Sequence, residues 1–260
     1  MHVLPDQFTC PCPMERMRRL HFSCLTKIPG KLNNEGRMKD VETVSTPLGG
    51  LTLDQNYRTL SELKEAEREA RKQMILTATL KLFGEKKISE VSMRDIAKEA
   101  GISPALIYRH FDDKDELFIE SFLLKISEMF AQFEETFSGR KQMSIEEIGE
   151  AFIQYLLNNP LFFKMMSYFM LDYTLVEDHL EKFNNAIREF LAIFDEGFRQ
   201  NGLEENVRIY SHAFFSALNG IMITFYHYPG RSEEEIKEHI LRLTKVISGL
   251  FTKVIDDMKT

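Results

Sequence analysis

The stretch from Gly101 to Phe118, "GISPALIYRHFDDKDELF", decides how this chain folds, because it contains a very short helix with clear limits. Ser103 is a typical N-cap residue, and Pro104 suits the first helical position. About two turns later the helical pattern breaks at Asp112, and a further helix begins. The residues from Tyr108 to His110 are consecutive, so they cannot all face one core. Some of them must therefore point away from the protein.

The residues just before this stretch form a second short helix. Ser92 is an N-cap with Asp95 three residues later, a variant of the capping box. The helix ends at Ala100–Gly101, where glycine accepts the left-handed conformation. Two helices joined by so few residues predict a helix-turn-helix, whose second helix enters the major groove of DNA while the first crosses the backbone. Short helix pairs also occur as plain packing units, so this spacing leaves both interpretations open.

The rest of the chain from Ser61 onward is predicted to be helical throughout. Apolar residues recur at helical spacing, and no alternating strand pattern of useful length interrupts them. The predicted helices run over about Ser61–Gly84, Ser92–Ala100, Ser103–Phe111, Asp113–Phe137, Ser144–Asn158, Pro160–Leu171, Leu175–Gln200, Glu204–Tyr228 and Ser232–Met258. We therefore predict an all-α fold, with an N-terminal three-helix helix-turn-helix domain followed by a larger helical domain.

Composition and charge limit the possible function classes. The chain has 260 residues, of which 43% are hydrophobic and 28% charged, as in ordinary globular proteins. Its net charge of −7 is unevenly spread, at +2 over residues 1–60, −1 over 61–117 and −8 over 118–260. Bulk charge therefore neither supports nor excludes DNA binding. The sequence shows no apolar run of transmembrane length and no signal-peptide core, so we expect a cytoplasmic protein without a membrane partner.

Residues 1–58 show no sustained periodicity and contain several prolines, which predicts a disordered N-terminal extension. The three cysteines, Cys10, Cys12 and Cys24, all lie there and lack a fourth ligand at zinc spacing. We therefore expect no metal site and no cofactor. The predicted organisation is an extension over residues 1–58, a helix-turn-helix DNA-binding domain over 61–117, and a ligand-binding and dimerisation domain over 118–260.

The sequence from Ile75 to Phe118 resembles the N-terminal domain of the TetR (tetracycline-repressor) family of bacterial transcription regulators. The matching positions are Ile75, Ala78, Leu82–Phe83, Val91-Ser92-Met93, Ile96–Ala97, Ala100-Gly101-Ile102-Ser103, Ile107–Tyr108, Phe111, Lys114 and Leu117. Beyond about fifty residues, the resemblance rests on helix count and order. One departure is Lys87–Ile88, where members commonly have glycine and an aromatic residue. A left-handed Lys87 would cost about 1 kcal/mol, so we expect a remodelled turn.

The resemblance implies that the outward-facing side chains contact DNA. Arg94 matches a position that reaches a base, and an arginine on guanine is the commonest specific contact. Lys114 begins the fourth helix, where its ammonium and the helix N-terminus both favour a phosphate. The predicted DNA-binding residues are Ser92, Arg94, Ser103, Pro104, Ala105, Leu106, Tyr108, Arg109, His110 and Lys114. Packing is the alternative role for Tyr108, and capping of the third helix is the alternative for His110.

The C-terminal part is rich in phenylalanine, methionine and tyrosine, above all in Phe162–Tyr173, "FFKMMSYFMLDY". Most of these residues must be core. A helix that is apolar on every face is, however, either enclosed by other helices or lines a cavity, and methionine adapts to irregular ligands. Since the resemblance implies an inducer pocket here, we expect an apolar small-molecule effector. The predicted ligand-binding residues are Phe162, Met165, Met166, Phe169, Tyr173, Phe183, Phe214 and Ala217.

The last two helices are predicted to form a homodimer interface. Apolar residues follow a heptad-like spacing at Ile236, Ile240, Leu243, Ile247, Leu250 and Val254. Small residues on the preceding helix, such as Ala213 and Gly220, allow close approach. Two helices from each protomer would then form a four-helix bundle. Burial of this seam inside the monomer is the alternative.

These features predict a ligand-responsive transcriptional regulator, a repressor that binds a palindromic double-stranded DNA operator and releases it on binding an apolar small molecule. The alternative is an inducer-free DNA-binding protein of the same fold with an architectural or chromosome-organising role. A fully packed C-terminal domain would favour that alternative. We expect no enzyme, because the sequence shows no Ser/His/Asp, Cys/His or metal-spaced carboxylate cluster and its seven histidines are scattered.

Overall fold

The computed structural model describes residues 59–137, 140, 142–171 and 177–259, without the side chains of 177–180 and 182. These residues form nine α-helices and one 3₁₀ turn and include no strand, which confirms the all-α prediction. The helices are α1 Leu60–Glu85, α2 Met93–Glu99, α3 Pro104–Ile107, α4 Lys114–Phe137, α5 Ile145–Asn158, α6 Pro160–Leu171, α7 Glu177–Gln200, α8 Val207–Phe225 and α9 Glu233–Met258. The 3₁₀ turn spans Ile88–Glu90. The predicted N-terminal extension, the three cysteines and Tyr173 lie outside the described residues.

Capping boxes start four of these helices, at Thr59, Ser92, Ser144 and Ser232. In each box the hydroxyl accepts a hydrogen bond from the backbone N–H three residues on, and the acidic side chain at that position bonds back to the cap N–H. None of the helices in the described ranges is both long and apolar enough to cross a membrane. The caps fix where the helices begin, and therefore which faces they present.

The helix-turn-helix is formed by α2 and α3, as predicted, and the turn between them depends on Gly101. Its φ is 67°, in the left-handed region that glycine tolerates. The N–H of Ile102 donates to the Ala97 carbonyl at 3.0 Å, and that of Gly101 donates to Lys98 at 3.3 Å, the pair of bonds of a Schellman motif. Ala97 and Ile107 are both buried, and α3 packs on α2.

The third helix is shorter than predicted, because its α-helical part covers only Pro104–Ile107 rather than Ser103–Phe111. The residues that follow continue in tighter hydrogen-bonded turns, with the N–H groups of Arg109 and His110 donating to the carbonyls three residues before them. Phe111, which is 1% exposed, then fixes the chain to the core. The expected strain at Lys87 does not occur, since its φ is −64°.

Helix α4 joins two parts of the molecule, the head formed by α1, α2 and α3 and the body formed by α5 to α9. Phe118, 1% exposed, lies near its start. Its ring centroid is 5.4 Å from that of Phe83 in α1 and 4.7 Å from that of Phe169 in α6. The predicted domain boundary between residues 117 and 118 falls inside this continuous helix, and it stays a prediction.

The body is held together by close helix crossings and one buried polar contact. A Cβ added to Gly149 of α5 would lie 2.9 Å from both Phe214 of α8 and Ser248 of α9. Between α7 and α8, Asp195 is 4% exposed and accepts a hydrogen bond from the Ser211 hydroxyl at 2.6 Å. Its other oxygen pairs with the Arg208 guanidinium at 2.6 Å. These contacts fix α8 and α9 on the body.

The outer surface of α8 and α9 carries an apolar seam that overlaps only in part with the one predicted from spacing. Ile240 is 0% exposed and belongs to the monomer core, and Phe251 packs on Phe214 with ring centroids 5.1 Å apart. The exposed seam is formed by large side chains at four-residue steps, namely the predicted Leu250 and Val254 together with Val246 and Met258, and by Ile209 on α8. The heptad pattern mixed the two faces of α9, because both are apolar.

Candidate nucleic-acid interface

Most of the predicted DNA-binding residues lie on the surface of the head. Tyr108 is 53% exposed, so it is a surface residue rather than a packing residue. On the other side of the same turn, Ile107 and Phe111 are 0% and 1% exposed and anchor the segment. The exposed members of the predicted set are Ser92, Arg94, Ser103, Pro104, Ala105, Tyr108 and Arg109, while Leu106, His110 and Lys114 are half-buried. A rigid core thus presents a polar and basic face.

Arg94 and Arg109 are free to bind a partner, since neither forms an ion pair or side-chain hydrogen bond within the described part of the chain. Arg94 leaves the exposed face of α2, next to the Ser92 cap. The Ser92 hydroxyl is engaged, donating to Asp95 at 2.6 Å. Ser103 makes no such capping bond, so its hydroxyl is available. An arginine fork without a protein partner is well suited to a base edge or a phosphate.

A cluster of positive charge surrounds His110. Burial lowers the pKa of His110 from its usual 6.5, and the charges of Arg68, Arg71, Arg109 and Lys72 lower it further. These side chains come from α1 and from the end of α3, so the structure brings two distant segments together. A cluster of like charges around one imidazole is a favourable place for an anion such as a phosphate.

The cations of α1 differ in what they bind. Lys72 donates to Glu120 of α4 at 3.1 Å and lies 5.8 Å from the centroid of the Phe111 ring, so it fastens the head to α4. Arg71 makes only an exposed contact with Glu67, at 3.9 Å. Arg68 was missed by sequence reasoning. Its three-residue spacing from Arg71 on a helix was the available signal, but it lies before the segment that resembles the family.

Lys114 holds the turn after α1. Its ammonium donates to the carbonyls of Ile88 at 3.1 Å and Ser89 at 3.3 Å. Burial lowers the pKa of Lys114, and Asp115 partly offsets that effect. A phosphate contact by Lys114 stays a prediction, and two of its three N–H groups are already used within the protein.

The predicted ligand-binding residues that the structure describes occupy two regions of the body, and all but Ala217 belong to or pack on one hydrophobic core. Phe162, Met165, Met166 and Phe169 of α6 are at most 8% exposed. Phe169 stacks on Phe183 with ring centroids 4.4 Å apart, and Ala217 is half-buried on α8. Phe214 belongs to another group, with its ring centroid 5.9 Å from that of Phe194 and 5.7 Å from that of Phe198. The aromatic side of α6 is therefore packed tightly against its neighbours.

An open cleft of about 910 Å³ lies on the adjacent side of α6. It is lined by the 3₁₀ turn, α6 and the end of α8, with Lys164 and Ser167 on α6 and Tyr226 directly after α8. The predicted ligand residues within the described ranges are not among its lining residues. Sequence reasoning missed it because its walls come from three segments far apart in the chain. A second, smaller cleft of about 410 Å³ lies between Phe225 and Arg242 and carries charges of both signs.

A short helix packed against a capped partner helix is the arrangement of a helix-turn-helix. Residues 75–120 match the family described as bacterial regulatory proteins, tetR family. This match confirms the predicted resemblance of the segment to the tetR family.

Relatives in sequence match the same end of the chain. It is 35% identical over 85 residues to the HTH-type transcriptional regulator AcrR of Shigella flexneri, covering 32% of this chain and 40% of that protein. It is 44% identical over 52 residues to an uncharacterised HTH-type transcriptional regulator of Haemophilus influenzae, covering 20% and 25%. The chain thus spans less than half the length of these relatives, and their likeness concerns the head.

Solved structures resemble the whole described fold. The regulator FadR of Bacillus subtilis, in complex with stearoyl-CoA, aligns at a TM-score of 0.55 and 18% identity, over 69% of this chain and 97% of that one. A transcriptional regulator of Saccharomonospora viridis, in complex with choline, aligns at a TM-score of 0.55 and 18% identity, over 68% and 96%. At this identity the likeness shows the fold alone: a helix-turn-helix head on a helical body.

Proposed function

We propose that the protein is a ligand-responsive transcriptional repressor that binds a palindromic double-stranded operator in the cytoplasm as a homodimer. The observation that carries the proposal is the exposed face of α2 and α3, where Arg94, Tyr108 and Arg109 point away from a core held by Ile107 and Phe111. Two copies of this face, related by a two-fold axis, would read two half-sites. The exposed seam on α8 and α9 is the surface we assign to the dimer contact.

The test begins with selection of bound fragments from genomic DNA, followed by affinity measurements on the selected operator. Arg94→Ala and Tyr108→Ala should each weaken operator binding by about 1–3 kcal/mol, because each removes a contact to DNA. Their melting temperatures should stay close to that of the parent protein, since both side chains are exposed. Lys237→Ala, an exposed lysine on α9, is the matched control and should bind normally. Unchanged operator affinity in the Arg94 and Tyr108 variants would refute the assignment of these residues to the DNA-contacting face.

The proposed response to a ligand is supported by the open cleft beside α6 and by the two structural neighbours whose complexes hold stearoyl-CoA and choline. A ligand releases DNA only if it prefers the conformation that does not bind the operator. A preference of roughly 1–3 kcal/mol would change operator affinity about 5–150-fold. The family matches indicate regulation by binding rather than catalysis.

One observation favours the inducer-free alternative, because the rings predicted to line a cavity are packed at centroid distances of 4.4–4.9 Å. A thermal-shift screen of apolar compounds, followed by an operator-release assay, separates the two functions. A compound that both stabilises the protein and frees the DNA supports the repressor. If no compound does both, the architectural role is preferred.

A further inference from the structure

The cleft between the head and the body has the size and the apolar wall of a small-molecule site. Its volume of about 910 Å³ falls within the roughly 300–1,000 Å³ that such sites occupy. Phe163, Leu171 and Ile223 supply apolar surface, and the last two side chains are 65% and 45% exposed. Large apolar side chains left open around one concave site favour an apolar occupant.

The polar groups of the cleft select the charge of that occupant. Lys87, Lys164 and His227 are basic, and the described lining residues include no acidic side chain. Lys87 also pairs with Glu90, which is not a lining residue, in an exposed contact at 3.5 Å. The Ser167 hydroxyl is buried and has no hydrogen-bond partner in the described part of the chain. An occupant with an anionic end would meet this positive charge.

Lys164 connects the cleft to the head. Its ammonium donates to the carbonyls of Phe83 and Lys86, both at 2.7 Å. These carbonyls lie at the C-terminal end of α1, where they lack helical partners and where the helix dipole favours a cation. A residue of the body therefore holds the end of the first helix of the head. An anion in the cleft would compete with those carbonyls for the same ammonium.

We propose that the cleft binds a single-chain amphiphile with a carboxylate head, and that the carboxylate draws Lys164 away from the end of α1. This inference rests on the proposed function, and adds to it the site, the head-group chemistry and the contact that transmits the signal. Loss of the Lys164 bonds would allow the head to move relative to the body. The two heads of a dimer would then no longer lie at the distance that a two-fold operator requires. By linkage, operator binding must lower the affinity for the carboxylate by the same factor.

The experiment compares dodecanoate with dodecanol, two probes that differ only in the head group, by calorimetry on the full chain below their aggregation limits. Dodecanoate should bind about tenfold or more tightly than dodecanol, a factor that corresponds to about 1.4 kcal/mol. Lys164→Gln should remove this preference. Lys245→Gln is the matched control, because that lysine pairs with Glu146 and Glu150 outside the cleft.

A second variant keeps the test independent of Lys164. Leu171→Glu adds a negative charge at an exposed position on the rim of the cleft. It should therefore lower the affinity for dodecanoate more than the affinity for dodecanol, without disturbing the core. Selected operator DNA should reduce dodecanoate affinity, and dodecanoate should release the operator from the parent protein but not from Lys164→Gln. The proposal would be overturned if the parent protein bound dodecanoate and dodecanol equally. It would also be overturned if Lys164→Gln kept the full preference for dodecanoate over dodecanol.

Two further outcomes separate this inference from the proposed function. If dodecanoate does not bind while another compound releases the operator, the carboxylate site is wrong and the repressor stands. If dodecanoate binds only to a monomeric variant, the partner protomer covers the cleft and the proposal is wrong. Failure of the parent protein to bind any selected DNA would count against the repressor, and against this inference with it.

Discussion

The apolar seam on α9 should determine whether the protein is a dimer, and Leu250→Glu tests it. Complete burial of a leucine contributes about 1.5–3 kcal/mol. Leu250 is 56% exposed, so covering it contributes roughly half of that, about 1 kcal/mol per protomer and about 2 kcal/mol for a symmetric pair. Losing this term alone raises the dimer Kd about 30-fold. Two carboxylates brought together at the axis should raise it further.

Analytical ultracentrifugation over a range of concentrations gives the Kd, and thermal melting shows whether each variant folds. The matched control is Ile240→Ala, at a position of the predicted seam that the structure buries inside the monomer. Because Ile240 is 0% exposed, its truncation should cost about 2–5 kcal/mol of folding stability while leaving the dimer Kd of the folded protein nearly unchanged. A Leu250→Glu variant that dimerises as tightly as the parent would show that α9 does not form the interface.

Three further predictions concern the head and the body. Lys114→Met should lower the free energy of unfolding by about 1–3 kcal/mol, because it removes two bonds to the turn after α1; an unchanged denaturant midpoint would contradict this. Since its surroundings hold the pKa of His110 below 6.5 in the free protein, a nearby phosphate should raise it, and binding should take up a proton. Operator affinity should therefore increase as pH falls through the pKa of the bound state, and the increase should vanish in His110→Asn; a pH profile shared by both proteins would exclude His110. Asp195→Asn should destabilise the body by about 2–4 kcal/mol, because the buried carboxylate pairs with Arg208 and Ser211, whereas the exposed Asp256→Asn should have little effect on thermal melting.

The sequence determined the helical fold well, because its signals are local. Ser92 and Gly101 mark the limits of α2 through contacts within a few residues, and both behave as their chemistry predicts. The length of α3 was less predictable. Its residues after Ile107 have helical propensity, but the burial of Phe111 pulls them into tighter turns. That constraint comes from tertiary packing, which overrides local preference.

The faces of the body helices were harder to predict for a related reason. Helix α9 is apolar on two sides, and spacing alone cannot say which side meets the core and which meets a partner. Ile240 and Val246 look alike in sequence, yet one is 0% and the other 59% exposed. The cleft was still less visible, because Lys164 reads as an isolated charge within an apolar helix. Only the fold shows that its ammonium reaches the end of α1.

Two kinds of contact join the head to the body, and they differ in how readily a ligand can change them. The Phe83, Phe118 and Phe169 rings form a continuous packed path, and such packing transmits displacement but leaves no room for a ligand to enter. The Lys164 bonds lie beside an open cleft, and an anion can replace carbonyl oxygens as partners of an ammonium group. The rings therefore hold the head against the body, while Lys164 is the contact that the proposed effector would change. Under this proposal, a tightly packed aromatic core and a ligand response can exist in the same protein.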